Sequence, residues 1–128
     1  LASILKEKLE VLTPSIDTPV RNLSGGNVQK VLVGRELASQ PRLLLTAYAV
    51  RGLDINTSYT IYNILNYEKK QGMAIVYVGE DLDVLLALTD RILVLSDGKV
   101  TGIVDSRTTD KKKIGQLMAS SEENKEHD

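Results

Sequence analysis

The sequence predicts an α/β fold with a mostly parallel sheet, an antiparallel edge hairpin and a small helical portion ahead of the sheet. Three observations carry this. Leu43 to Thr46 and Met73 to Val78 are short apolar runs of strand length, set among stretches of helical period. Ser96-Asp97-Gly98-Lys99 joins two further strand-like runs through an Asp-Gly pair, a strong hairpin signal. The chain has 128 residues, 42% hydrophobic and 26% charged, which suits one compact domain.

The elements follow in order. Leu1, Ile4, Leu5, Leu9 and Leu12 recur at helical spacing until Thr13-Pro14-Ser15 stops the pattern. Val28, Val31, Leu32, Leu37 and Ala38 fit an amphipathic helix of about three turns that ends before Pro41. Leu43 to Thr46 has no alternation and reads as a strand buried on both faces. Asp54 to Gly72 reads as a helix, with Lys69 and Lys70 in its last turn and Gly72 as its stop. Met73 to Val78 is a second buried strand, and Asp81 to Leu88 a short helix. Arg91 to Leu95 and Val100 to Asp105 form the hairpin, which a last helix from about Thr109 to Ala119 follows. The boundaries are 1–40 for the helical portion, 41–118 for the α/β core and 119–128 for a disordered acidic tail. There is no internal repeat.

Composition narrows the function. A net charge of −1 gives no basic excess for a phosphate backbone, so no nucleic acid is expected. Lys111-Lys112-Lys113 reads as a solvated helix start, and His127 as a solvated tail residue. Zero Cys leaves neither a disulfide framework nor a Cys metal site, and is compatible with a reducing, intracellular location. No segment approaches the roughly 20 apolar residues of a membrane span, and no signal peptide opens the chain. Five Tyr with no Trp or Phe imply a core of Leu, Ile, Val and Ala. Tyr59, Tyr62 and Tyr67, at near-helical spacing, read as a packing face. Glu80, Asp81 and Asp83 read as an acidic first helical turn rather than a metal cluster, and no metal ligand set is expected.

The stretch RNLSGGNVQK, residues 21–30, sets Ser24 and two glycines against the start of a helix. Backbone N–H groups at Gly25, Gly26 and Asn27 would meet negative charge there, and glycine permits close approach to the main chain. A phosphate contact is one reading of the triplet; an ordinary helix start capped by Ser24 is the other.

Residues Leu23 to Lys30 resemble the signature motif of ATP-binding cassette (ABC) ATPases, which have a P-loop NTPase, RecA-like core. Further features fall in that family's order. Leu43 to Thr46 looks like the Walker B strand, Arg51-Gly52-Leu53-Asp54 like the D-loop, and Val78-Gly79-Glu80-Asp81 like the switch loop. The resemblance runs from Thr13 through Asp105. TPSIDTPVRNLSGGNVQK and RGLDI are most similar to the second nucleotide-binding half of double-cassette importers for simple sugars and nucleosides, where Asn follows the two glycines.

That family's own pattern is broken here at three positions of one site. The positions of the Walker B Asp and the catalytic Glu read Ala47 and Tyr48, and Glu80 stands where the switch-loop His belongs. Neither Ala nor Tyr binds Mg²⁺ or takes a proton as a carboxylate does. No G-x-x-x-x-G-K-[ST] phosphate loop occurs in the 128 residues. The family places that loop upstream of the signature, and the chain, beginning within a helical pattern, reads as a piece of something longer.

The resemblance implies a division of labour. ATP and Mg²⁺ would be held only in an assembled cassette pair, with none bound by the isolated chain, which is expected to be inactive alone. Ser24, Gly25, Gly26 and Asn27 would meet the γ-phosphate in trans, Asp54 would couple the two sites, and no residue of this chain would be catalytic. Partners would be the sister nucleotide-binding half and transmembrane permease subunits, on the cytoplasmic, inner face of the cell membrane. A non-catalytic adaptor that docks a membrane subunit or regulator is the alternative. A signalling receiver is disfavoured because Ala47 stands where an Asp is needed. Exposed sheet and apolar surface predict self-association of the chain.

Overall fold

The computed structural model describes residues 2–120. Leu1, residues 121–128 with His127, and the side chains of Ile4 and Leu5 lie outside the described residues, so the tail and part of the first helical pattern do too. The chain divides after Val78 into two compact units.

The first unit holds α1 (Ala2–Lys8), α2 (Gly25–Ala38), β1 (Leu43–Ala47), α3 (Ile55–Lys70) and β2 (Ala74–Val78), with a 3-10 turn at Val20–Asn22. Helix α1 ends earlier than its apolar spacing predicts. Glu10 takes a left-handed φ of 51°, and the Val11 N–H closes back on the Lys6 carbonyl at 3.0 Å, a turn that ends the helix and sends Leu9 and Val11 into the core. The same device, with Gly72 at φ 99° and Met73 N–H on Glu68 O at 3.1 Å, ends α3 where the sequence predicts. Only this second stop uses the residue for which positive φ is easy.

Strands β1 and β2 pair in parallel, Leu43 opposite Ala74 through Ala47 opposite Val78. The expectation that they are buried on both faces is corrected. Leu44, Thr46, Ile75 and Tyr77 form a half-buried face toward α3, where the Tyr77 ring meets Tyr62 at 6.4 Å. Leu43, Leu45, Val76 and Val78 are exposed on the other face, Leu45 at 70%. Strand-like apolarity thus reflects a face that no described element of this unit covers. Helix α2 also departs from its expected stripe. It buries Lys30 and Gly34 and leaves Leu32 exposed, since a long lysine stem can pack as apolar surface while its ammonium finds an acceptor. Within α3 the buried positions are Ile61 and Leu65, one helical turn apart.

The second unit holds α4 (Leu82–Leu88), β3 (Arg91–Ser96), β4 (Lys99–Asp105) and α5 (Lys111–Ala119). Asp97 and Gly98 both adopt positive φ, as a two-residue hairpin turn requires. β3 and β4 pair antiparallel as a two-stranded sheet, Arg91 opposite Asp105 through Ser96 opposite Lys99. Ile92 and Val94 point into the core with Ile114 of α5. A Cβ on Gly102 would stand 2.8 Å from Leu117 Cδ1, so glycine is what lets α5 lie this close. Asp110 caps α5 by accepting the Lys113 N–H at 2.8 Å, and the three lysines are its solvated first turn.

Candidate functional site

Ser24 is extended and stands just ahead of α2. Its Oγ accepts the Asn27 N–H at 3.4 Å and the Asn27 Nδ2 at 2.9 Å. Asn27 Oδ1 accepts the Leu12 N–H at 2.9 Å, so one amide side chain ties the helix start to the loop after α1. A second tie lies one turn on, where the buried Lys30 gives its Nζ to the Glu10 carbonyl at 3.2 Å. Asn27 therefore works inward as an organiser of Ser24. Both readings of the triplet survive: Ser24 is the cap, and the first-turn N–H groups of a four-turn helix still form an electropositive end.

The two glycines differ in surroundings. At Gly25 a Cβ would meet no atom within 4 Å, so the space beside its Cα is open. At Gly26 a Cβ would lie 3.0 Å from Thr57 Cγ2 and 3.1 Å from Thr57 Oγ1. Asp54 caps α3: Oδ1 accepts the Thr57 N–H at 3.0 Å and Oδ2 the Thr57 hydroxyl at 2.7 Å. The Thr57 backbone N–H first, then its hydroxyl, hold the Asp54 carboxyl below its ordinary pKa of 3.8. Thr57 was not singled out by the sequence, although an Asp just ahead of a helix accepts a backbone N–H two or three residues on.

β1 ends at Ala47 and is followed by Tyr48, so neither side chain here carries a carboxylate. Ala47 pairs with Val78, and Tyr48 N–H donates to Val78 O at 2.9 Å. Tyr48 then turns left-handed at φ 54°, and the Arg51 guanidinium stacks on its ring. The carboxylate-free pair offers Mg²⁺ no ligand of the hard, anionic kind it takes. Among the described residues no group of three or more His, Cys, Asp or Glu is placed to hold a metal. Glu80 lies in the second unit, exposed, ahead of α4, where Asp81 is the N-cap and Asp83 pairs with Lys111 at 2.9 Å. The tyrosines are a correction. Tyr62 packs edge-on to Tyr59 and Tyr77, but Tyr59 and Tyr67 are exposed, since the buried side of α3 is taken by Ile61 and Leu65.

A scan against protein-family models gives no match. Individual proteins do match. The chain is 42% identical over 113 residues to the xylose import ATP-binding protein XylG of Moorella thermoacetica, covering 88% of this chain and 22% of that protein. The galactose/methyl galactoside import ATP-binding protein MglA of Haemophilus influenzae matches at 42% and that of Escherichia coli at 40%, with the same coverages. The chain matches the C-terminal part of ABC sugar-import ATP-binding proteins. It spans 22% of the length of these curated relatives.

The fold is that of ABC ATPase cassettes. A dimeric bacterial ABC transporter cassette superposes with a TM-score of 0.71 at 27% identity, over 84% of this chain and 47% of that one. An inward-facing metal-chelate type ABC transporter gives 0.78 at 21% identity, over 93% and 47%. Among the described residues, no helix is long and apolar enough to cross a membrane.

Proposed function

We propose that this chain is an ATP-binding component of an importer for sugars or nucleosides, and that it completes a sister cassette's site with Ser24, Gly25, Gly26 and Asn27 while its own Walker B end is inert. The observation that supports this best is the contrast between two ends. Gly25 opens α2 with open space beside its Cα, whereas β1 ends in Ala47 and is followed by Tyr48. A helix start of this kind binds phosphate, and the sister half would supply the phosphate loop, the Mg²⁺ ligand and the catalytic Glu. ATP bound between the halves supplies the phosphoryl chemistry. Asn27 would act by holding Ser24 in place, and Asp54 by reaching toward the sister site. In this reading residues 1–40 form the signature-bearing helical subdomain and 41–118 part of the α/β core. The assembly sits on the cytoplasmic face of the membrane with its permease subunits, and the chain alone does not turn over ATP.

The test is ATP hydrolysis by the assembled transporter carrying this chain as wild type, Gly25→Asp or Tyr48→Glu. A Cβ at Gly25 meets no atom within 4 Å, so a loss together with unchanged thermal unfolding of the variant reports on what docks there. Abolished turnover in Gly25→Asp with little change in Tyr48→Glu is the expected result. Intact turnover in Gly25→Asp would leave the signature vestigial and favour an adaptor.

A further inference from the structure

Gly26 and Asp54 belong to separate motifs, yet one side chain stands between them. The Thr57 side chain is 3.0 to 3.1 Å from where a Cβ on Gly26 would lie, and both oxygens of the Asp54 carboxylate are taken by Thr57. The two constraints act on the same rotamer. Turning Thr57 away from Gly26 would carry its hydroxyl off Asp54 Oδ2, and turning it fully toward Asp54 is possible only because Gly26 has no side chain. Asp54 is exposed, so its carboxylate has water as an alternative, and the two bonds from Thr57 are the largest of those that hold it, ahead of the backbone N–H groups of Asp54 and Asn56.

We propose that Thr57 is a positioning residue that locks the signature glycine Gly26 and the loop aspartate Asp54 into one unit, so that displacement of either is transmitted to the other. Gly26 is glycine for this close approach, whereas the space beside the Gly25 Cα is open. The functional consequence rests on the proposed trans role of the signature: the helix end offered to phosphate and the carboxylate offered to the sister site would reach the interface with a fixed spacing.

Four variants test this in the assembled transporter: Gly26→Ala, Thr57→Ser, the two combined, and Thr57→Val. The first readout is hydrogen exchange at the Thr57 amide, which donates to Asp54 Oδ1; the second is kcat and KM for ATP. Gly26→Ala forces Thr57 aside and is expected to speed that exchange about three- to tenfold, the range of one lost hydrogen bond. Thr57→Ser removes Cγ2, the nearer contact at 3.0 Å, and keeps the hydroxyl donor, which still meets the added methyl at 3.1 Å, so in the double variant exchange and kcat recover part of the way to the Thr57→Ser values. Thr57→Val keeps the packing and loses the donor, and is expected to lower kcat with KM unchanged. Wild-type exchange in Gly26→Ala, or no rescue by Thr57→Ser, overturns the proposal. The exchange readout does not depend on turnover. Failure of the trans role, seen as intact hydrolysis in Gly25→Asp, is therefore distinguishable from failure of the lock.

Discussion

The Arg51 guanidinium carbon lies 4.4 Å from the centroid of the Tyr48 ring. The pair bridges the start and end of a tight loop whose Arg51 N–H also donates to the Tyr48 carbonyl at 3.1 Å. The aromatic ring just after β1 thus carries a cation packed on its face. The loop that leads to Asp54 is closed by protein groups of its own.

That stack predicts a specific pattern of stability. Tyr48→Phe keeps the ring and is expected to leave the urea midpoint unchanged, whereas Tyr48→Ala loses about 0.5–1 kcal/mol, the worth of an exposed cation–π contact. Equal behaviour of the two variants would mean that the ring is a bystander.

Asp54 gives a prediction in pH. Its carboxyl is held below 3.8 in the folded chain by Thr57, so the stability it contributes is fully present above 3.8 and is lost as pH falls through the lowered folded value. Thermal unfolding of wild type and Asp54→Asn should therefore differ by a constant amount from neutrality down to about pH 4, and converge only below it. Convergence already on the neutral side would show that another group controls the α3 cap.

The approach of α5 to the hairpin predicts a second-site effect. Gly102→Ala sets a methyl 2.8 Å from Leu117 Cδ1 and is expected to cost about 1–2 kcal/mol by overpacking. In a Leu117→Ala background the same substitution should cost far less. Additive losses in denaturant unfolding would refute a direct clash.

The open face of β1 and β2 predicts self-association of the 128-residue chain. Leu43, Leu45, Val76 and Val78 together form an exposed apolar patch on a pair of strands. Light scattering should give a mass that rises with concentration and falls back in Leu45→Lys. A clean monomer at high concentration would count against it.

By itself the sequence determined the element order, the cap at Ser24, the Asp97-Gly98 hairpin turn and the Gly72 helix stop. Each of these depends on local backbone preference or on a side chain reaching three residues along the chain, and so is written in adjacent residues. Motif resemblance adds the expectation that Ala47 and Tyr48 stand where that family's pattern has carboxylates. Only the tertiary structure decided what touches what across long separations. Helix period marks Leu32 and Tyr59 as apolar but not which side a neighbour covers, and strand apolarity in Leu43 to Ala47 does not reveal that one face stays open. The meeting of Gly26 with Thr57, and of Lys30 with the Glu10 carbonyl, comes from helix packing that brings residues 20 or more positions apart to contact distance. No local propensity encodes such a meeting, because it is set by the shape of both partners at once.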